Sequence, residues 1–145
     1  MLGQTISHFR IDKKLGAGGM GEVYLAEDTN LRRQVALKVL SKDMAASSSG
    51  RSMIFQEARA ASRLSHPNIA TVFEVDEVDG VPFIAMEYVG GESLKELLAR
   101  GAITPEKLLP IARQIAAGLG AAHQAGILHR DIKPGNIMLD GQGNA

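Results

Sequence analysis

A run of eight residues near the end of the sequence gathers groups that could carry out chemistry. Residues 129–136 (HRDIKPGN) combine a carboxylate, basic side chains and an amide. Asp131 could accept a proton from an attacking hydroxyl, and Lys133 could neutralise charge on a transferring group. Asn136 offers an amide oxygen to a hard cation such as Mg²⁺. Each residue alone fits a polar surface loop better, but the whole string favours a functional site.

Apolar segments flank this string on both sides. Residues 125–128 (AGIL) precede it and residues 137–139 (IML) follow it, and we expect a strand over 136–140. A polar loop between two packed segments holds its side chains at a fixed place. The sequence therefore predicts an anchored loop.

A second candidate is the glycine pattern at residues 16–21 (GAGGMG), which reads G-x-G-x-x-G. Such a cluster alone is more often a plain turn. The residues before it, 9–15, and those after it, 22–27, alternate as strands do. A Rossmann phosphate loop would open a helix, and a Walker loop would end in Gly-Lys-Ser/Thr. The pattern therefore indicates a hairpin whose tip can approach phosphates closely.

Two charged residues stand where apolar residues are expected. The strand predicted over 34–40 is apolar on both faces, so Lys38 must extend to solvent or find an anion. The helix predicted over 51–64 places Glu57 on its inward stripe with Ala58. An ion pair between Lys38 and Glu57 would relieve both charges. The alternative is two unrelated surface charges.

The remaining elements change character along the chain. We predict strands over 69–76 and 81–88 joined by an Asp-Gly turn, and a flexible connector in the Ser-rich patch 45–50. Gly90 and its neighbours indicate a hinge. Beyond it we predict a short helix over 93–100 and a long one opened by Thr104 and Pro105, with a kink or a later start at Pro110.

Composition excludes several classes of protein. The chain has 145 residues, a formal net charge of zero and no cysteine. Zero net charge argues against bulk binding to nucleic acid or to an anionic membrane. The lack of cysteine removes disulfides, thiolate nucleophiles and Cys-based zinc sites. No apolar run is long enough to cross a bilayer, so we expect no membrane contact from this segment.

The ordered motifs together resemble those of a eukaryotic-type (Hanks-type) protein kinase. A glycine hairpin, a Val-Ala-Leu-Lys strand, a helical Glu, a hinge and an H-R-D-x-K-x-x-N loop follow one another. The phrases at 15–24 (LGAGGMGEVY) and 135–138 (GNIM) are similar to bacterial serine/threonine kinases. Lys133 also fits the serine/threonine pattern.

The resemblance implies an α+β protein kinase-like fold. Residues 1–89 would form a five-stranded antiparallel N-lobe with one main helix. That lobe would include the glycine loop 16–21, the lysine strand 34–40 and helix C at 51–64. Residues 90–145 would form the hinge and the start of a helical C-lobe, ending after the catalytic loop 129–136.

The resemblance also implies roles for the charged residues, with ATP and Mg²⁺ as cofactors. Lys38 would hold the α- and β-phosphates and pair with Glu57. Asp131 would orient and deprotonate the hydroxyl of a Ser or Thr in a protein substrate. Lys133 would steady the γ-phosphate, and Asn136 would hold a second magnesium.

Other residues would contact the nucleotide, if the family roles carry over. Leu15 and Val23 would grip the adenine, Ala36 would pack on it, Met86 would be the gatekeeper, and residues 87–89 would hydrogen-bond the base. His129 and Ala61 would belong to the packed spine of the domain. The full implied set of cofactor-binding residues is Leu15, Gly16, Ala17, Gly18, Gly19, Met20, Gly21, Glu22, Val23, Ala36, Lys38, Met86, Glu87, Tyr88 and Val89.

Two alternatives to an active kinase stay open on the sequence. One is a pseudokinase or decoy module that binds nucleotide or a partner without chemistry. The other is a dinucleotide-binding Rossmann protein, against which the strand after the glycine pattern argues. We expect a cytoplasmic location, including as the cytoplasmic part of a membrane-anchored protein.

The chain to Ala145 contains no Asp-Phe-Gly segment, whose Asp is the main magnesium ligand in the family. We therefore expect the purified 145-residue chain to transfer no phosphate, because it lacks much of the charge neutralisation that phosphoryl transfer needs. A radiolabelled-ATP assay checks this. Phosphorylation that depends on Asp131 would contradict it.

Overall fold

The computed structural model describes all residues from 1 to 145, and these form two compact units. The first unit contains residues 1–63 and 71–88, and the second contains residues 64–70 and 89–145. Residues 64–70 thus belong to the second unit although they precede the last two strands of the first.

The first unit is built on an antiparallel sheet. Its strand order is β1-β2-β3-β4-β6-β5. The five predicted strands are confirmed, and a two-residue strand is added at one edge. The strands are β1 Thr5–Ile6, β2 Phe9–Gly18, β3 Gly21–Asp28, β4 Arg33–Leu40, β5 Val72–Val78 and β6 Val81–Glu87.

Strand alternation gives this sheet two different faces. One face, called here the core face, carries the hydrophobic core of the unit. Phe9 and Phe83 meet there edge to face with ring centroids 5.7 Å apart. The core face consists chiefly of Phe9, Ile11, Tyr24, Ala26, Val35, Leu37, Val39, Phe83 and Ala85.

The β5–β6 turn has positive φ at Asp79 (52°) and Gly80 (74°), as an Asp-Gly hairpin requires.

Two helices follow β4, α1 at Lys42–Ala46 and α2 at Ser48–Ala61. The prediction of a flexible connector over 45–50 is therefore wrong. Serine side chains cap both helices, since Ser41 Oγ accepts from the Met44 N–H and Ser47 Oγ accepts from the Gly50 N–H. These caps satisfy N–H groups that have no partner within the helix, so the serines start helices here.

The inward placement predicted for Glu57 is also wrong. Ala58 is the buried residue of α2, and the Glu57 side chain is exposed. Helix α2 begins three residues earlier than predicted, and the one side chain that it buries is small. Burial therefore does not oblige Glu57 to pair, and the pairing with Lys38 stays a prediction.

The second unit is mainly helical. Helix α3 at Leu94–Ala99 follows a capping box in which Ser93 Oγ accepts from the Glu96 N–H and the Glu96 carboxylate accepts from the Ser93 N–H. Helix α4 runs continuously over Pro105–Gln124, so the later start considered at Pro110 is wrong. Ile111, Leu94 and Leu139 form the centre of the core of this unit.

Two short strands anchor the end of the second unit. Strand β7 at Glu92–Ser93 pairs antiparallel with β8 at Met138–Leu139. The predicted strand over 136–140 is therefore shorter than expected. The Leu94 N–H also donates to the Ile137 carbonyl, with an N···O distance of 2.8 Å.

Two glycines of α4 allow a matched test of packing in this unit. A Cβ on Gly118 would lie 2.8 Å from the Asn68 carbonyl oxygen, whereas a Cβ on Gly120 would meet nothing within 4 Å. We expect Gly120→Ala to stabilise the chain by about 0.5–1 kcal/mol through helix propensity. Gly118→Ala should instead destabilise it by about 1–3 kcal/mol through overpacking. Urea unfolding of both variants checks this, and equal shifts would contradict the close contact.

Candidate active site

The sheet of the first unit brings several predicted nucleotide-binding residues onto its other face, called here the second face. Directly opposed residues of antiparallel strands point to the same side. One row across β3, β4 and β6 consists of Val23, Lys38 and Ile84. The adjacent row consists of Leu25, Ala36 and Met86.

Four of these six residues were predicted from the sequence, namely Val23, Ala36, Lys38 and Met86. Leu25 and Ile84 were missed, although strand alternation alone places them on the same face. The two rows form an apolar surface with one ammonium group, and the Lys38 side chain is half-buried within it. Such a surface can pack on a flat apolar ring while the lysine reaches an anion.

The glycine turn between β2 and β3 contains two kinds of glycine. Gly21 has φ 145°, and a Cβ there would lie 2.1 Å from the Val39 carbonyl oxygen. Gly21 is therefore required by the sheet itself. At Gly16, Gly18 and Gly19 a Cβ would meet nothing within 4 Å. The fold does not require glycine at these three places, but a ligand approaching the backbone closely would.

Two large apolar residues at or next to this turn are exposed, namely Leu15 at 41% and Met20 at 45%. Glu22 differs from its neighbours, because it stands opposite Val39 of the core face. Its carboxylate accepts hydrogen bonds from Lys14 and Tyr24. Only the backbone of Glu22 is therefore placed toward a ligand on the second face.

The predicted hinge begins where β6 ends. The Glu87 N–H donates to the Thr71 carbonyl at an N···O distance of 2.8 Å, and the Glu87 carboxylate accepts from the Thr71 N–H at 3.1 Å. Tyr88 and Val89 follow outside any strand, and the Val89 carbonyl accepts from the Gly91 N–H at 2.9 Å. The Glu87 N–H is thus bonded within the first unit, and the Val89 carbonyl is bonded within the second unit.

Asp131 lies at the centre of the polar loop in the second unit. Its carboxylate is 3.2 Å from the Lys133 ammonium and accepts from the Asn136 amide at 3.0 Å. Its N–H donates to His129 Nδ1 at 3.2 Å. The hydrogen bond from Lys133, with a further one from Asn136, holds the pKa of Asp131 below its usual range. Asp131 is therefore ionised at neutral pH and available as an acceptor.

The two hydrogen bonds of Asn136 fix the orientation of its amide. Its Nδ2 donates to both the carbonyl and the carboxylate of Asp131, at 2.9 and 3.0 Å. Both partners are acceptors, so the amide nitrogen must face them and the oxygen must point elsewhere. That oxygen is the atom a hard cation would use. No group of three or more His, Cys, Asp or Glu side chains in the chain is arranged to hold a metal ion.

The loop around Asp131 shows two further features. Arg130 has φ 66°, in the left-handed region that non-glycine residues seldom adopt, which sets the direction of the chain just before Asp131. His129 is exposed in this chain, which covers 58% of the solved kinase domain, so its place in a packed spine stays a prediction. Its ring accepts the Asp131 N–H and supports the loop locally.

Replacing Lys133 by methionine should raise the pKa of Asp131 toward its ordinary range, because the largest cause of the lowered pKa is removed. Carbon-detected NMR titration of the Asp131 carboxyl measures this shift. Since the pKa is lowered in the folded chain, any stabilisation from this carboxylate is present above the unfolded pKa and is lost as pH falls through the folded pKa. Lys107→Met, the same change on α4, serves as the control. An unchanged Asp131 pKa in Lys133→Met would contradict the contact.

The chain is similar in sequence to known protein kinases. The sequence model of the protein kinase domain matches residues 9–145. The serine/threonine-protein kinase PrkC of Bacillus subtilis is 44% identical over 146 residues, covering 99% of this chain and 22% of PrkC. The serine/threonine-protein kinase pkn2 of Myxococcus xanthus is 42% identical over 131 residues, covering 90% of this chain and 16% of pkn2.

A solved structure gives the same result for the fold. The crystal structure of the Mycobacterium tuberculosis PknI kinase domain is 37% identical, with a TM-score of 0.88, and the match covers 99% of this chain and 58% of that one. The chain thus spans about a fifth of the length of the curated relatives named here. None of its helices combines the length and the apolar character needed to cross a membrane.

Proposed function

The chain belongs to the protein kinase domain family, and from this premise we propose that it supplies the nucleotide-binding part and the proton acceptor of a bacterial serine/threonine kinase. We assign residues 1–89 to the N-lobe and residues 90–145 to the hinge and the start of the C-lobe. ATP with Mg²⁺ is the phosphoryl donor, and a Ser or Thr hydroxyl of a protein is the acceptor. A cytoplasmic location agrees with these substrates.

The observation that carries the nucleotide assignment is that three open glycines and a row containing Lys38 occur on the same sheet. Gly16, Gly18 and Gly19 leave the backbone of the turn open to a ligand, and folding gives no other reason for them. On the second face the Lys38 ammonium lies in a row with Val23 and Ile84. We infer that apolar residues of this face hold the adenine and that Lys38 and the glycine turn hold the phosphates.

The polar loop supplies the groups for phosphoryl transfer. Bound ATP supplies the γ-phosphoryl group and ADP as leaving group. Asp131 orients the substrate hydroxyl and takes its proton as the new P–O bond forms and the bond to ADP breaks. Lys133 can exchange its exposed contact with Asp131 for a phosphate oxygen at small cost, because an exposed ion pair is weak. The free oxygen of Asn136 would hold Mg²⁺.

Nucleotide binding is tested directly on the 145-residue chain. Isothermal titration with Mg-ATP, adenosine and NAD should give binding of ATP and adenosine and none of NAD. A preference for NAD would favour the Rossmann alternative. A chain that binds neither ATP nor adenosine would count against both the kinase and the pseudokinase interpretations.

The alternative of a binding module is separated from a kinase by phosphate transfer. A chimaera joins residues 1–145 to the remaining kinase domain of the Bacillus subtilis relative. It should phosphorylate a Ser/Thr protein substrate, and Asp131→Asn should lower kcat by about 10²–10⁴-fold. A chimaera that binds ATP but transfers no phosphate would favour the pseudokinase interpretation.

A further inference from the structure

A polar network joins the strands that lead into and out of the glycine turn. The Lys14 ammonium on β2 donates to one oxygen of the Glu22 carboxylate, and the Tyr24 hydroxyl donates to the other oxygen. Both Glu22 and Tyr24 lie on β3. Tyr24 is only 4% exposed, so one end of the network is fixed in the core of the unit.

The network lies where the pairing of these strands is irregular. Lys14 stands opposite Tyr24, but Gly16 stands opposite Val23, so Leu15 is an extra residue on β2. An extra residue disrupts the ladder locally and bends the strand that carries it. The side-chain network therefore connects β2 and β3 at the place where their backbone ladder is interrupted, directly before the turn.

The three side chains cannot act by touching a nucleotide on the second face. Glu22 stands opposite Val39 of the core face, Tyr24 belongs to the core, and Lys14 stands opposite Tyr24. Val23, between them, points to the second face. Any influence of Glu22 and Tyr24 on a ligand must therefore pass through the backbone of the turn.

We propose that Lys14, Glu22 and Tyr24 are positioning residues that hold the glycine turn in the conformation that grips the phosphates of ATP. This inference rests on the proposed function, and it adds the groups that set the turn in place. The bulge at Leu15 interrupts the backbone pairing of β2 and β3 just before the turn. The carboxylate shared by Lys14 and Tyr24 joins the two strands across that interruption.

The protonation states that this network requires are those present near neutral pH. The hydrogen bond that Tyr24 donates to the Glu22 carboxylate, together with burial, raises the pKa of Tyr24 to about 12. The hydrogen bonds from Lys14 and Tyr24 lower the pKa of Glu22. The phenol thus stays a donor and the carboxylate an acceptor.

Two variants test the role of the network, Glu22→Gln and Tyr24→Phe. Each should raise the Kd for Mg-ATP by about three- to tenfold while changing the Kd for adenosine by less than about twofold, since adenosine has no phosphates for the turn to hold. Hydrogen exchange at the Gly18 and Gly19 amides should become faster. Equal losses for ATP and adenosine, or no loss for either, would overturn the inference.

The matched control is Glu27→Gln, which removes the pair between Glu27 and Arg10 on the same two strands. These residues stand directly opposite each other at the far end of the hairpin. The control should leave the ratio of ATP to adenosine affinity unchanged, and a changed ratio would show that any β2–β3 contact has this effect. An unaltered chain that binds no ATP would refute the proposed function instead, so the two failures are distinguishable.

Discussion

Replacing Lys38 by methionine should lower the affinity for Mg-ATP by at least about tenfold, because a charge-assisted contact to phosphate is lost. Methionine keeps an unbranched apolar stem of similar length, so the packing between Val23 and Ile84 should persist. Adenosine affinity should therefore change by less than about twofold, and the free energy of unfolding by less than about 1 kcal/mol. Titration calorimetry and urea unfolding measure the two effects separately.

The control for this prediction is Lys42→Met at the exposed start of α1, which changes the net charge equally. It should leave ATP affinity within about twofold, since a screened exposed charge contributes little. An equal loss in both variants would show that Lys38 acts only through bulk charge. An ATP affinity indifferent to Lys38 would exclude the phosphate-binding role assigned to it.

Alternation along the strands made much of the first unit predictable. Val35, Leu37 and Val39 alternate with Ala36 and Lys38, and the structure places these two sets on opposite faces. The period of two fixes which face a residue shares with its neighbours. The second face could therefore be assembled from the sequence once the strands were placed.

Elements that depend on side-chain hydrogen bonds could not be predicted in the same way. Serine favours both loops and helix N-caps, so composition at 45–50 did not distinguish a connector from the cap made by Ser47. The rotation of α2 about its axis decides whether Glu57 is buried. The predicted inward stripe is broad, and only Ala58 of this helix is buried in the structure. The bulge at Leu15 also has no signal in the hydrophobic pattern.

The polar loop shows the same division. Its residue types indicated a proton acceptor at Asp131 and a metal-binding oxygen at Asn136, but not how the two are joined. The amide of Asn136 donates to Asp131, which turns its oxygen outward. The pattern gave the chemistry of each group, and only the structure gave their mutual orientation.

Gly21→Ala should destabilise the chain by about 2–4 kcal/mol, since it combines a strained φ with a Cβ 2.1 Å from the Val39 carbonyl oxygen. Gly18→Ala should leave the free energy of unfolding within about 1 kcal/mol, because its Cβ meets no atom of the protein within 4 Å. The same Gly18→Ala change should weaken Mg-ATP binding by about three- to tenfold and leave adenosine binding nearly unaltered.

Thermal unfolding and nucleotide titration of both variants test this separation of roles within one turn. If Gly18→Ala unfolds as easily as Gly21→Ala, then the open glycines serve the turn and not a ligand, and the observation that carries the nucleotide assignment is removed. If Gly18→Ala is stable yet binds ATP as well as the unaltered chain, the phosphates lie elsewhere. Stability retained with phosphate affinity lost is the one combination that a glycine turn shaped for a phosphate ligand predicts.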